Sequence, residues 1–425
     1  MAFHMKRQDR FKGIRLSHPY AKALAMGLLG LISCPAISQE APTGFDGLTN
    51  GYLSQDAYDE ALAEFNHEET IAGGLGPVFN DVSCQSCHRG PTDGGTSQIT
   101  VQRAGYFDGV NFIDPPGGSL IPAKAIDRSI QAHVPRDANV RTLRTSLSTL
   151  GDGYIEAIPD DAIKAIAANQ PSQSKGLING QYIMVDILEA KGQQGLGKFG
   201  WKSQHASLVS FAADAYRNEM GITTPLFPTE PTSNGRSVES FDTAGDPNDT
   251  DEAVLLAANF MRATKAPERT PGSPNNGNNQ PQRGPSSRQI ALNQGEKVFT
   301  DTGCGICHTA TFVTAPAGTP MNGGAYEVPE ALANMTIHPY GDFLLHDVGT
   351  GDGIVQNGGQ ATRNKMRTMP LWGLSKRRMF LHDGSAKSIA DAINRHAGEA
   401  REVKAAFKRL NLQDTQQLMS FLNSL

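Results

Sequence analysis

The sequence predicts a mainly α-helical fold built as two small helical units with long loops and room for minor β hairpins. Three observations carry this expectation. The motif Cys-x-x-Cys-His occurs twice, as Cys84-Gln85-Ser86-Cys87-His88 and Cys304-Gly305-Ile306-Cys307-His308, and a helical segment leads into each copy. The composition, with 45 Gly, 25 Pro and 19% charged residues, describes a loop-rich chain whose helices wrap a bound group. Between the two motifs, residues 267–288 show no apolar periodicity and are rich in Pro, Gly and Asn, as a linker or long surface loop would be.

Each element follows in chain order. Lys6, Arg7, Arg10, Lys12, Arg15 and Lys22 precede an apolar run from Ala23 to Ile32, and Ala36-Ile37-Ser38 offers a cleavage site before Gln39. That order of charged, apolar and small residues predicts a signal peptide over 1–38, hence an exported, periplasmic protein. The apolar run is too short to span a bilayer. Leu31-Ile32-Ser33-Cys34 loosely resembles a lipoprotein box, so a membrane is expected as partner only through a lipid on Cys34. A helix over Gln55–Asn66 leads to the first motif. Another is expected at Asp160–Ala168, and a third at Asp251–Thr264, where Val254, Leu255, Ala258 and Met261 share one face. Beyond the linker come helices over Gln289–Phe299 and Ser388–His396. The chain is therefore divided into an N-terminal unit, 39–265, a linker, 266–289, and a C-terminal unit, 290–425.

Cys-x-x-Cys-His is the attachment motif of a c-type haem. Two thiols add to the porphyrin, and the following histidine ligates the iron. Cys84, Cys87, Cys304 and Cys307 are thus assigned to two covalently bound haem c groups, with His88 and His308 as iron ligands. A zinc knuckle would pair its halves within tens of residues, whereas these lie 220 apart (304 − 84). A thiol redox pair or a structural disulfide leaves the histidines unexplained. The units then read as two cytochrome c-like haem domains.

A weak internal repeat supports the division. Arg144-Thr145-Ser146-Leu147 starts 60 residues beyond Cys84 (144 − 84), and Arg367-Thr368-Met369-Pro370-Leu371 starts 63 beyond Cys304 (367 − 304). In the second copy Met366 precedes the arginine, and a thioether is a common sixth ligand that raises the haem potential. Leu143 holds the equivalent place in the first copy and cannot ligate. Downstream, His382 offers a second ligand to the C-terminal haem, and Glu156 stands at about the matching point of the first copy. These pairings predict an open iron in the N-terminal unit, able to bind peroxide or dioxygen, with Glu156 as its acid/base.

The two haem motifs, Arg-Thr-x-Pro-Leu-Trp-Gly-Leu at 367–374 and Phe-Leu-His-Asp-Gly at 380–384 resemble those of bacterial di-haem cytochrome c peroxidases. Gly197-Lys198-Phe199-Gly200-Trp201-Lys202 and Met220-Gly221-Ile222-Thr223-Thr224-Pro225 are similar to the di-haem oxidoreductase branch, also called "thiol oxidoreductases". The resemblance implies that Trp201 carries electrons between the haems. It also implies that Met366 ligates the electron-transfer haem, with His382 as the rival. His346 is expected to bond a propionate, and His205 to act as a distal ligand or a propionate partner. The thiol activity itself finds no support, since Cys34 is the single cysteine outside the motifs.

Two function classes remain open. As an enzyme, the protein would take electrons from a small periplasmic donor, such as a cytochrome c or a cupredoxin, at the C-terminal haem. It would pass them to the N-terminal haem, where peroxide is reduced or a substrate oxidised. As a carrier, both irons would be six-coordinate. Removing residues 1–38 takes away six basic residues and one acid, so the net charge moves from −5 to −10 (−5 − 5). That acidity argues against nucleic acid and suits a basic redox partner. The string Asp246-Pro247-Asn248-Asp249-Thr250-Asp251 does not have calcium-loop spacing, and no metal beyond iron is expected.

Overall fold

The computed structural model describes residues 38–269 and 286–425. The expected signal peptide, Cys34 and most of the expected linker lie outside the described residues.

Helices form where apolar spacing and a capping side chain coincide. Ser54 caps the helix Gln55–Asn66 by accepting from the Ala57 amide, and Tyr58, Ala61 and Phe65 fall on its buried face. This helix packs against Glu252–Ala263, with Phe65 and Phe260 ring centroids 4.5 Å apart. The helix Leu208–Met220 packs on Glu252–Ala263 as well. Ser207 caps its start, and Gly221 ends it in the left-handed region at φ 70°. A Cβ on Gly221 would lie 2.7 Å from the Val78 carbonyl oxygen, so the backbone conformation and the close approach both select glycine. In the C-terminal region, Ser287–Asp301 packs against Leu412–Leu422 around Phe299, Leu418 and Phe421. Asp160–Gln173 and Ile389–Arg395, the latter capped by Ser388, stand where short helices are expected.

Among the described residues helix accounts for 34% and strand for 15%, compatible with the expected mainly α fold with minor β, and the strands form small sheets. Phe112–Ile113, Thr100–Phe107, Leu120–Ile121 and Val140–Thr145 form a four-stranded antiparallel sheet. Its longest pairing runs from Thr100 opposite Thr145 to Gly105 opposite Val140. The two-residue period turns Arg144 inward and Leu143 outward, and Leu143 is 42% exposed. In the second copy of the repeat, Met366–Arg367 pairs antiparallel with Leu345–His346.

Five hydrophobic clusters form among the described residues, and the two largest hold the helices around the motifs. The larger gathers the helices 55–66, 208–220 and 252–263 and also takes Phe312, Leu332, Phe343 and Trp372 from the C-terminal part of the chain. The smaller, around Phe299, Tyr340, Leu374 and Phe421, lies wholly within it.

Candidate functional site

Each Cys-x-x-Cys-His motif sits on a tight turn. Ser83 caps the four-residue helix Cys84–Cys87 by accepting from the Ser86 amide, and His88 follows directly. The second motif forms a 3-10 turn, Cys304–Ile306, entered through Gly303 at φ 95°. His88 Nδ1 lies 3.2 Å from the Gly95 carbonyl oxygen, and His308 Nδ1 lies 3.1 Å from that of Tyr340. In the neutral ring, a proton on Nδ1 donated to a carbonyl leaves the lone pair on Nε2, the atom a metal needs. Burial lowers the pKa of His88 and takes that of His308 down to about 4, so both rings are neutral near pH 7. Phe65 and Phe299 pack on the two rings, with centroids 6.1 and 6.3 Å away.

Each turn opens onto a cavity. The first is lined by Cys84, Cys87 and His88 together with Arg103, Arg144, Trp201, Asp214 and Glu219. The second is lined by Cys304, Cys307 and His308, with Met366, Met369, Leu371, Phe380 and His382. None of the four motif cysteines is in a disulfide. Two thiols, one neutral imidazole and a large cavity, present twice, suit a porphyrin and its iron.

Trp201 lines both cavities. Its indole N–H donates to the Thr145 carbonyl oxygen at 2.8 Å, within the first copy of the repeat. From the second copy, the Arg367 amide donates to the Trp201 carbonyl at 2.9 Å and the Arg367 guanidinium to that of Gly200 at 2.7 Å. His382 meets the indole edge-on, with centroids 6.2 Å apart. Beside Trp201, the Lys202 ammonium donates to the carbonyls of Thr362, Arg363 and Lys365 at 3.0, 2.9 and 2.7 Å. It also pairs with Asp352 at 3.2 Å, and the other oxygen of Asp352 takes Arg144 at 2.6 Å. Burial moves Lys202 down to about 8 against the pull of Asp352.

Met366 and His382 both reach the second cavity, as expected of rival ligands. Glu156 requires a correction. It lines neither cavity and is fully buried, bonded to Arg262 at 2.7 and 3.0 Å, to the Leu208 amide at 2.9 Å and to the Asn322 amide group at 2.8 Å. With its lone pairs committed to the core, it is a structural ion and not an acid/base at the cavity. His346 differs from expectation too. Both its ring nitrogens are taken by carboxylates, Asp342 at 2.9 Å and Glu399 at 2.8 Å. Burial alone would lower its pKa, yet these partners raise it well above the ordinary value. His205 pairs with Asp214 at 3.3 Å.

Sequence reasoning missed the charged wall of the first cavity. Arg103 enters from the strand Thr100–Phe107, donates to Ser119 at 3.1 Å and keeps its buried Nε without a partner. Glu219, on the last turn of Leu208–Met220, accepts from Asn80 at 2.7 Å, and burial raises its pKa. Neither belongs to a contiguous motif; the one available signal is the inward phase of its strand or helix.

The family model described as "Di-haem oxidoreductase, putative peroxidase" matches residues 124–425, which include the second motif and begin after the first. None of the curated proteins matches the chain. Similar solved structures include hydrazine synthase of Kuenenia stuttgartiensis pressurised with xenon, 14% identical, with 97% of this chain and 100% of that chain covered at a TM-score of 0.40. A MauG-like protein associated with microbial copper homeostasis is 14% identical, with 92% and 94% covered and a TM-score of 0.40. A variant of the diheme peroxidase BthA from Burkholderia thailandensis is 12% identical, with 76% and 94% covered and a TM-score of 0.30.

Proposed function

Because the chain belongs to the di-haem oxidoreductase family, we propose that it is an exported, periplasmic, peroxidase-like enzyme with two covalently attached haem c groups. Cys84 and Cys87 would hold one and Cys304 and Cys307 the other, with His88 and His308 as iron ligands. When bound, the haems supply redox iron, at which peroxide is reduced or a substrate oxidised. The same reading keeps residues 39–265 and 290–425 as the two haem units and gives electron entry to the C-terminal one. An acidic mature chain suits a basic donor, a small cytochrome c or cupredoxin.

The chain's own residues divide the work. Trp201, in the wall of both cavities and fixed by hydrogen bonds from both repeats, is the electron relay; this shared position is the observation that carries the proposal. In the first cavity, Glu219 takes the acid/base role that the sequence suggested for Glu156, because burial favours its protonated form. Arg103 supplies a fixed positive charge at the same wall. In the second cavity Met366 or His382 would serve as the further iron ligand and tune its potential.

Electron paramagnetic resonance of the fully ferric protein tests this first. A high-spin signal beside a low-spin one is expected, from an open iron in the N-terminal unit. Two low-spin signals in the ferric protein, with the haem that stays ferric after one-electron reduction still low-spin, would instead make the protein a carrier. Trp201→Phe should then slow electron transfer between the haems while leaving both haem spectra unchanged. An unaltered rate would reduce Trp201 to a packing residue.

A further inference from the structure

Away from both haem cavities, the connection between the helices Leu208–Met220 and Glu252–Ala263 brings three carboxylates together. Glu230, Asp242 and Asp246 each place one oxygen within 4.8 Å of the other two. Glu230 is 5% exposed, and neither of its carboxylate oxygens has a hydrogen-bond partner. A buried carboxylate left without donors is costly, and like charges at this spacing repel. The nearby cation, Arg217, offsets this only through its charge and gives the carboxylate no hydrogen bond. Arg217 donates from Nε to the Thr229 carbonyl at 2.7 Å, from Nη1 to Asn218 at 3.2 Å and from Nη2 to the Glu230 backbone carbonyl at 3.4 Å. Glu239 adds further negative charge.

We propose that Glu230, Asp242 and Asp246 form a calcium-binding site that ties this connection together. The donors are all hard oxygens, which suit calcium and not the softer transition metals. They come from three separate points of an irregular loop, a geometry calcium accepts and the rigid octahedron of magnesium does not. Glu230 forms the buried base; Asp242 is half-buried and Asp246 exposed, so an ion can enter from solvent and keep water on its outer side. Each aspartate spends one oxygen on a local bond, Asp242 with the Ala244 amide at 3.0 Å and Asp246 with the Thr223 hydroxyl, leaving the other for the ion. The two helices so joined line the first cavity through Asp214, Tyr216 and Glu219 on one and Ala257 and Met261 on the other. The ion would hold that wall in place.

The holoprotein, stripped with a chelator and titrated calorimetrically with CaCl2, should bind one ion with a Kd between about 10 µM and 1 mM. Its thermal midpoint should rise by about 3 °C or more at a hundredfold excess over that Kd. The double variant Asp242→Asn/Asp246→Asn alters only the accessible rim and should not lower the calcium-free midpoint, while weakening binding at least tenfold. Glu230→Gln should raise the calcium-free midpoint and abolish the calcium shift. No heat and equal midpoints in calcium and chelator would overturn the proposal in favour of a proton held by Glu230. Calcium binding that survives both variants would place the ion elsewhere, and an equal shift with MgCl2 would overturn the assignment to calcium.

Discussion

In the N-terminal cavity the Cys-x-x-Cys-His turn shares its walls with the carboxylates Asp214 and Glu219 beside Arg103, whereas in the C-terminal cavity the same turn shares them with Met366, Met369 and Leu371 and the cations Arg367 and Arg377, with no carboxylate among the described lining residues. The floors match closely, down to an imidazole Nδ1 bonded to a backbone carbonyl. Capture of iron is therefore a property of the motif, and what the iron would do is a property of the opposite wall. Charged groups in a buried wall can move protons and stabilise developing charge. Apolar groups with a thioether favour holding an electron at raised potential.

The strongest way to break this comparison acts on the shared floor. His88→Ala and His308→Ala should each cost the protein one correctly ligated haem, read as the loss of one of two signals in the haem spectrum. Equal behaviour in both variants would support matched floors. Next come the walls. Glu219→Gln should slow peroxide turnover by about 10²-fold with stability preserved. Glu156→Gln should do the reverse, destabilising the protein by about 3–5 kcal/mol because Arg262 is left buried without its counter-ion. Denaturant unfolding and turnover per folded molecule separate the two; exchanged phenotypes would restore Glu156 to the chemistry. Met366→Ala should lower the potential of the C-terminal haem alone, and a redox titration that shows no change would make His382 its ligand.

The smallest effect is a dependence on pH. His346 between Asp342 and Glu399 has its folded pKa raised above the ordinary value. Its stabilisation is fully present below about pH 6.5 and is lost as pH rises through the raised folded value. His346→Gln should flatten that alkaline limb of a stability curve.

Local features were the legible ones. Both haem motifs are contiguous, and the helix Gln55–Asn66 has the bounds expected of the segment leading into the first. The four-stranded sheet was hidden because Thr100–Phe107 alternates weakly, with Ala104 and Gly105 both buried in succession. What decides the chemistry was long-range. Glu156 meets Arg262 across 106 residues, and Arg144 meets Asp352 across 208. No spacing rule announces such pairs, so Glu156 read as a free carboxylate when its partner was already assigned by the fold.

The cage around Lys202 has one further implication. Three carbonyls and a carboxylate coordinate its ammonium much as they would an alkali ion, but this cation is covalently part of the chain. It has no dissociation constant and no dependence on supply. The positive charge beside Trp201 is thus immune to chelators and to the ionic makeup of the surroundings, and it is surrendered only by deprotonation as the solution turns alkaline, near a pKa of about 8.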